Sequence, residues 1–148
     1  MGGDWGACDP GEPKHRRLRC SALVEVWKLD APEDVTTVLI DTSPDMREQL
    51  LAAQVKHLDA VVFTHDHADQ NHGIDDVRSL AIRHRAQVKA YMDQPTSRTL
   101  IPKFNYVFNG ENGYPPIYDV QPFLTPYAPF SLSGPGGRFE MLPLDQEH

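Results

Sequence analysis

The sequence predicts an α/β fold, and three observations carry it. Two β-branched or apolar runs of strand length stand at 35–40 and 58–63. Apolar stripes at helical spacing follow each of them, over 44–56 and 74–84. The second run ends directly in a cluster of three histidines and two aspartates within positions 65–72. Strands alternating with helices read as α/β, and a chain of 148 residues is long enough for one modest domain, spanning 1–148.

In chain order, residues 1–20 have no period. Lys14, Arg16, Arg17 and Arg19 form a short basic run with His15, either a solvated loop or a place where an arginine meets a substrate phosphate. Cys8 and Cys20 flank that run. The alternation in 21–29 predicts a strand, with Leu23, Glu25 and Trp27 on one face and Val24, Val26 and Lys28 on the other. Asp30 to Asp34 reads as a turn, so this strand and 35–40 predict a hairpin. Ser43 and Pro44 suit the N-cap and first position of a helix over 44–56, whose apolar stripe marks it as core packing. Asp41 stands where the preceding strand ends.

The run 58–63 delivers the cluster. Gly73 lets the backbone turn after it, and Asp75 and Asp76 suit a helix start, with Ile74, Val77 and Ala81 facing inward over 74–84. Arg78, one turn in, either pairs with an aspartate or faces a substrate. A strand is expected at 87–92 and a short helix at 95–102. Segment 104–118 is aromatic, Asn-, Gly- and Pro-bearing and without a clean period; it reads as a long loop, functional or a contact in a homodimer. Strands at 120–124 and 138–142, joined by a Pro/Gly segment over 125–137, complete the reading. The apolar Met141-Leu142-Pro143-Leu144 reads as a strand leading toward His148.

Side chains on extended backbone repeat every second residue, so His65, His67 and Asp69 can point to one side just beyond a strand end. Imidazole nitrogens with a carboxylate oxygen suit zinc, or manganese or iron. The formal net charge of −7 argues against a broad nucleic-acid footprint but not against a small anionic substrate held by a metal. No apolar run approaches the length of a membrane span, so no membrane partner is expected, and the start lacks a basic-then-apolar leader pattern. Two cysteines without such a leader fit a reducing cytoplasm.

Thr64-His65-Asp66-His67-Ala68-Asp69 at a strand end resembles the signature of the metallo-β-lactamase superfamily. The longer string His65 to Arg78, together with Trp5-Gly6-Ala7-Cys8-Asp9-Pro10, Arg17-Leu18-Arg19-Cys20-Ser21 and Gly113-Tyr114-Pro115-Pro116, is similar to a branch of bacterial phosphodiesterases acting on small cyclic phosphodiesters. The resemblance implies a metallo-β-lactamase-type four-layer αβ/βα sandwich, here incomplete: roughly the N-terminal half, with a glycine-rich first strand expected before Gly3 and a second metal-bearing half after His148.

It also implies the roles. His65, His67 and His148 would bind a first ion, zinc or manganese. Asp69 would bind a second and accept a proton from the attacking water. Asp41 would orient ligands through hydrogen bonds, and segment 104–118 would wall the site. Gln70 departs from the pattern, which has histidine there; His72 is the nearest substitute. The implied activity is metal-dependent hydrolysis of a small phosphodiester. The alternatives are a nuclease, lactonase or thioesterase of the same fold, a related protein that binds without hydrolysing, and a truncated metal-binding piece without activity.

Overall fold

A computed structural model of the chain describes residues 3–146. Its five-stranded sheet has the order β1-β2-β3-β4-β5. Strands β1 (Ala22–Lys28) and β2 (Ala31–Ile40) are antiparallel, as the expected hairpin requires. Strands β3 (Ala60–Val62), β4 (Val88–Tyr91) and β5 (Tyr118–Val120) continue the sheet in parallel. Each parallel step is bridged by helices: α1 (Met46–Ala52); then α2 (Ala68–Asn71), a 3₁₀ turn at Ile74–Val77 and α3 (Arg78–His84); then α4 (Gln94–Lys103) and α5 (Asn105–Asn109). A hairpin of β6 (Phe130–Gly134) and β7 (Gly137–Met141) forms a separate two-stranded sheet.

Strand alternation sorts the core into two faces. Leu39, Val61 and Ala90 pack with the helical residues Met46, Val77, Leu100 and Phe108. Val38, Ala60 and Val62 point the other way and pack on Leu132 of the β6–β7 hairpin. The result is a helical layer, a mixed sheet and a second, two-stranded sheet, the expected α/β sandwich in part. Tyr118 is buried among the first set, and its hydroxyl donates to the Ile74 carbonyl at 2.9 Å. Burial drives its pKa well above the ordinary tyrosine value.

Several boundaries differ from the sequence reading. The turn is shorter: β2 begins at Ala31, which pairs with Lys28 of β1, and Pro32 falls in the irregular stretch before Val35 pairs with Trp27, where it has no ladder partner to lose. The 44–56 helix shrinks to Met46–Ala52. Ser43 does not cap it; its hydroxyl bonds the Gln49 carboxamide at 2.9 Å. Segment 104–118 is not all loop, since α5 opens it, buries Val107 and Phe108, and β5 closes it. Leu124 makes only an isolated bridge with Asp93. Strand β6 lies inside the supposed Pro/Gly linker. Its turn packs flat on the sheet, where a Cβ on Gly136 would collide with the Val26 carbonyl oxygen.

Among the described residues, no helix is long and apolar enough to cross a membrane.

Candidate metal centre

The site grows from the carboxyl ends of β2 and β3, where open parallel sheets place ligands. Asp41 follows β2 in the left-handed region, φ 61°, a conformation aspartate tolerates better than most residues. Its N–H donates to the Val62 carbonyl at 2.9 Å, which ties the two strand ends together. Its side chain then turns onto Thr64. The Thr64 N–H donates to Asp41 Oδ1 at 2.8 Å, and the Thr64 hydroxyl donates to Oδ2 at 2.7 Å. Thr64 Oγ1 also lies 2.9 Å from His65 Nδ1.

That chain of contacts fixes a tautomer. A hydroxyl carries one proton, and the carboxylate takes it. Thr64 Oγ1 can therefore only accept from His65, so Nδ1 carries the ring proton and Nε2 keeps the lone pair. This is the arrangement in which a histidine ligates a metal while its other nitrogen is oriented from behind. Asp41 is buried, and that burial raises its pKa above the ordinary carboxylate value; the two bonds from Thr64 and the nearby His65 oppose the rise.

His65 and His67 come together just past β3, with His67 in extended conformation. Their rings meet edge to face, with centroids 4.8 Å apart and planes at 74°. Extended geometry stops there, because helix α2 begins at Ala68. Asp69 sits in the first turn of that helix and is exposed. Gln70 is half-buried in the same turn. Among the described residues no three His, Cys, Asp or Glu side chains converge as a metal-holding group. His148, expected as the third imidazole, lies outside the described residues.

The remaining candidates are spread around this point. His72 is exposed and stands edge-on to Phe104, with centroids 5.7 Å apart. Arg78 pairs with Asp75 through two nitrogens, at 2.8 and 3.1 Å. Its guanidinium also lies over Tyr106 and Tyr114, at 5.9 and 5.8 Å. It thus staples the aromatic segment to the start of α3. Cys8 and Cys20 are free and exposed.

Thr64 is the residue of this candidate site whose part sequence reasoning missed. It was legible only as the letter before the first histidine; its role depends on Asp41, 23 positions away.

The loop under α2 is tightly built. A Cβ on Gly73 would collide with the Ser43 carbonyl oxygen, and the Gly73 N–H donates to the Thr42 carbonyl at 2.9 Å. Beside it Asn71 is fully buried, and neither carboxamide atom has a partner. An orphaned buried amide costs about 1–3 kcal/mol, while an apolar side chain of similar shape costs nothing comparable. Asn71→Leu should therefore stabilise the fold by about 1 kcal/mol or more, read as a higher urea midpoint at unchanged m. An unchanged or lower midpoint would show that this amide is satisfied.

The donor chemistry fits a divalent metal: two imidazoles meet at a strand end, and one is held by a buried carboxylate in the ligating tautomer. A cavity of about 500 Å³ opens beside His65, with Ile40, Phe63, Leu124 and Met141 among its lining. That volume is in the range of small-molecule sites.

Comparison with known proteins agrees with this architecture. A crystal structure of a diphosphatase from the PhnP family superposes with a TM-score of 0.65 at 34% identity, covering 85% of this chain and 46% of that one. Zinc-bound PqqB from Methylobacterium extorquens superposes with a TM-score of 0.51 at 20% identity, over 77% of this chain and 36% of its own, a likeness of fold alone. Among curated proteins, an octanoyltransferase of Porphyromonas gingivalis (strain ATCC BAA-308 / W83) is 41% identical over 105 residues, 70% of this chain and 20% of that protein. The chain thus spans a fifth of that relative and under half of the diphosphatase. The family model of the beta-lactamase superfamily domain matches residues 36–148. With that match, and with its paired histidines at the end of β3, the chain belongs to the metallo-β-lactamase superfamily.

Proposed function

We propose that this chain carries part of a metal-dependent hydrolase whose substrate is a small phosphodiester, cyclic or linear. The observation that carries the reading is the His65–His67 pair, backed by Asp41 through Thr64, at the mouth of a ligand-sized cavity. The likeness to a diphosphatase supports phosphorus chemistry over acyl chemistry. His65 and His67, with His148, would hold zinc or manganese, and Asp69 would serve a second ion. A bound divalent ion would supply charge relief on the phosphoryl oxygens and an acidified water.

The chain's own residues do the rest. Asp41 and Thr64 keep the His65 ring in one tautomer and orientation. Asp69, exposed in the first turn of α2, would take the proton. The apolar cavity wall excludes water from one side of the site.

A panel of bis-p-nitrophenyl phosphate, a lactone and a thioester, each with added zinc or manganese, tests the reading. Turnover of the phosphodiester alone is expected. Turnover of the lactone or thioester instead would overturn the substrate class. A second reading, a metal-binding piece without activity, is favoured by Gln70 in the histidine position of the signature and by the partial span of the relatives. Metal uptake without turnover of any of the three would select it.

A further inference from the structure

Two histidines take no part in the site described above and stand at the other end of β3. His57 precedes that strand, as His65 follows it. His84 is the last residue of α3, and the fold brings it back against the segment that leads into β3. The two rings meet edge to face, with centroids 6.0 Å apart and planes at 64°.

Each ring is oriented from behind. His57 Nε2 lies 3.1 Å from the Val35 carbonyl oxygen and 3.3 Å from Asp59 Oδ2. The same carboxylate oxygen accepts from the Thr37 N–H at 2.7 Å, which holds it against β2. His84 Nε2 lies 2.8 Å from the Lys56 carbonyl oxygen. A carbonyl oxygen can only accept, so in each neutral ring Nε2 carries the proton and Nδ1 keeps the lone pair. Neither Nδ1 has a protein hydrogen-bond partner among the described residues. A histidine whose far nitrogen donates to a carboxylate or a backbone carbonyl is in the form that ligates a metal.

The separation of the rings suits one shared ion. A bond of about 2.0–2.1 Å from ion to imidazole nitrogen puts the ion about 3.2 Å from the ring centroid. Two rings on one ion then stand about 4.5 Å apart at a right angle and about 6.4 Å apart in line. The 6.0 Å between His57 and His84 falls inside that span. His57 is half-buried against β2, while His84 is exposed, so an ion between them would face solvent. Among the described residues no third His, Cys, Asp or Glu converges with them, and water would complete the coordination.

We propose that His57 and His84 form a metal site of their own, separate from the His65–His67 pair, for a divalent transition ion that prefers imidazole nitrogen, best met by copper(II). Among first-row divalent ions copper(II) binds such nitrogen ligands most tightly. Asp59 adds negative charge close to the ion and holds the His57 ring. The occupied site would join the end of α3 to the start of β3. It stands apart from the hydrolase reading, since it involves neither the cavity nor the phosphodiester.

Copper(II) chloride is titrated into the metal-free full chain, carrying nitrogen-15 in its histidines, and each ring signal is followed. A bound paramagnetic ion broadens the signals of its own ligands first. The His57 and His84 signals should fade together over one concentration range. His84→Gln should raise the copper concentration that broadens His57 at least about 10-fold, the lower bound for losing even a partner behind a ligand. His57→Gln should do the same to His84. His15→Gln, in the N-terminal segment, should change neither. His84 is exposed at a helix end, so its replacement carries the test even where His57→Gln disturbs the fold; circular dichroism checks both.

Fading of the two signals over different ranges overturns the proposal. So does a copper requirement at His57 that is unchanged by His84→Gln, which would make them two solitary imidazoles. Persistence of both signals while other histidines fade overturns it as well. His65 and His67 have ring signals of their own, so failure at this pair is read separately from failure at theirs.

Discussion

His65→Ala and His67→Ala should each abolish zinc uptake. The two rings meet at 4.8 Å just past β3, so neither can be replaced by a neighbour without moving the strand. Losing a partner behind a ligand typically costs about 10–100-fold in metal affinity. Losing the ligand itself should cost at least about 100-fold, on that scale. Equilibrium dialysis followed by elemental analysis measures it. The parent should retain about one equivalent, the two variants none, and thermal unfolding of the metal-free proteins should hardly differ, since His67 is exposed and His65 only half-buried. Uptake unchanged in either variant would remove that histidine from the site.

The legibility of this site follows from how local its causes are. The histidine pair was readable because strand alternation is a period-two rule that needs no tertiary information. The β1–β2 hairpin was readable for the same reason; the parallel order of β2 to β4 follows from crossovers that the local pattern does not encode. The rule failed at Ala68, where α2 takes over and carries Asp69 off the extended line; a four-residue helix offers too short a window for a periodic signal. Strand β6 was hidden because only Phe130 and Leu132 mark it, between prolines and glycines that read as linker. Asn71 was invisible as a problem: nothing in Gln70-Asn71-His72 tells that the middle side chain is fully buried. The Asp41–Thr64 contact and the docking of Arg19 on Asp45 join residues 23 and 26 positions apart, which no local pattern encodes.

Asp41→Asn should cut zinc affinity by about 10–100-fold while leaving the protein folded. The variant side chain is nearly the same shape, and its oxygen can still accept from the Thr64 N–H. At the other position an NH₂ replaces Oδ2, and it must donate to Thr64 Oγ1. The Thr64 hydroxyl proton is then turned toward His65 Nδ1, and the ring proton moves to Nε2, the nitrogen that should hold the metal. One altered atom thus reverses a two-bond relay. Nitrogen-15 spectra of His65 in the metal-free protein read the tautomer: Nδ1–H in the parent, Nε2–H in the variant. Stability should move the other way. Burial raises the Asp41 pKa above its ordinary value of 3.8, so ionising this carboxyl costs more in the folded state than in the unfolded one. Its stabilising contribution is complete below that ordinary value and is lost as pH rises through the raised one. Asparagine never ionises, so near neutral pH the metal-free variant should be at least as stable as the parent and should lack this part of the pH dependence. Weaker zinc binding with undiminished stability identifies Asp41 as an orienting residue. Zinc affinity equal to the parent's, with the tautomer unchanged, would show that the relay does not reach the metal.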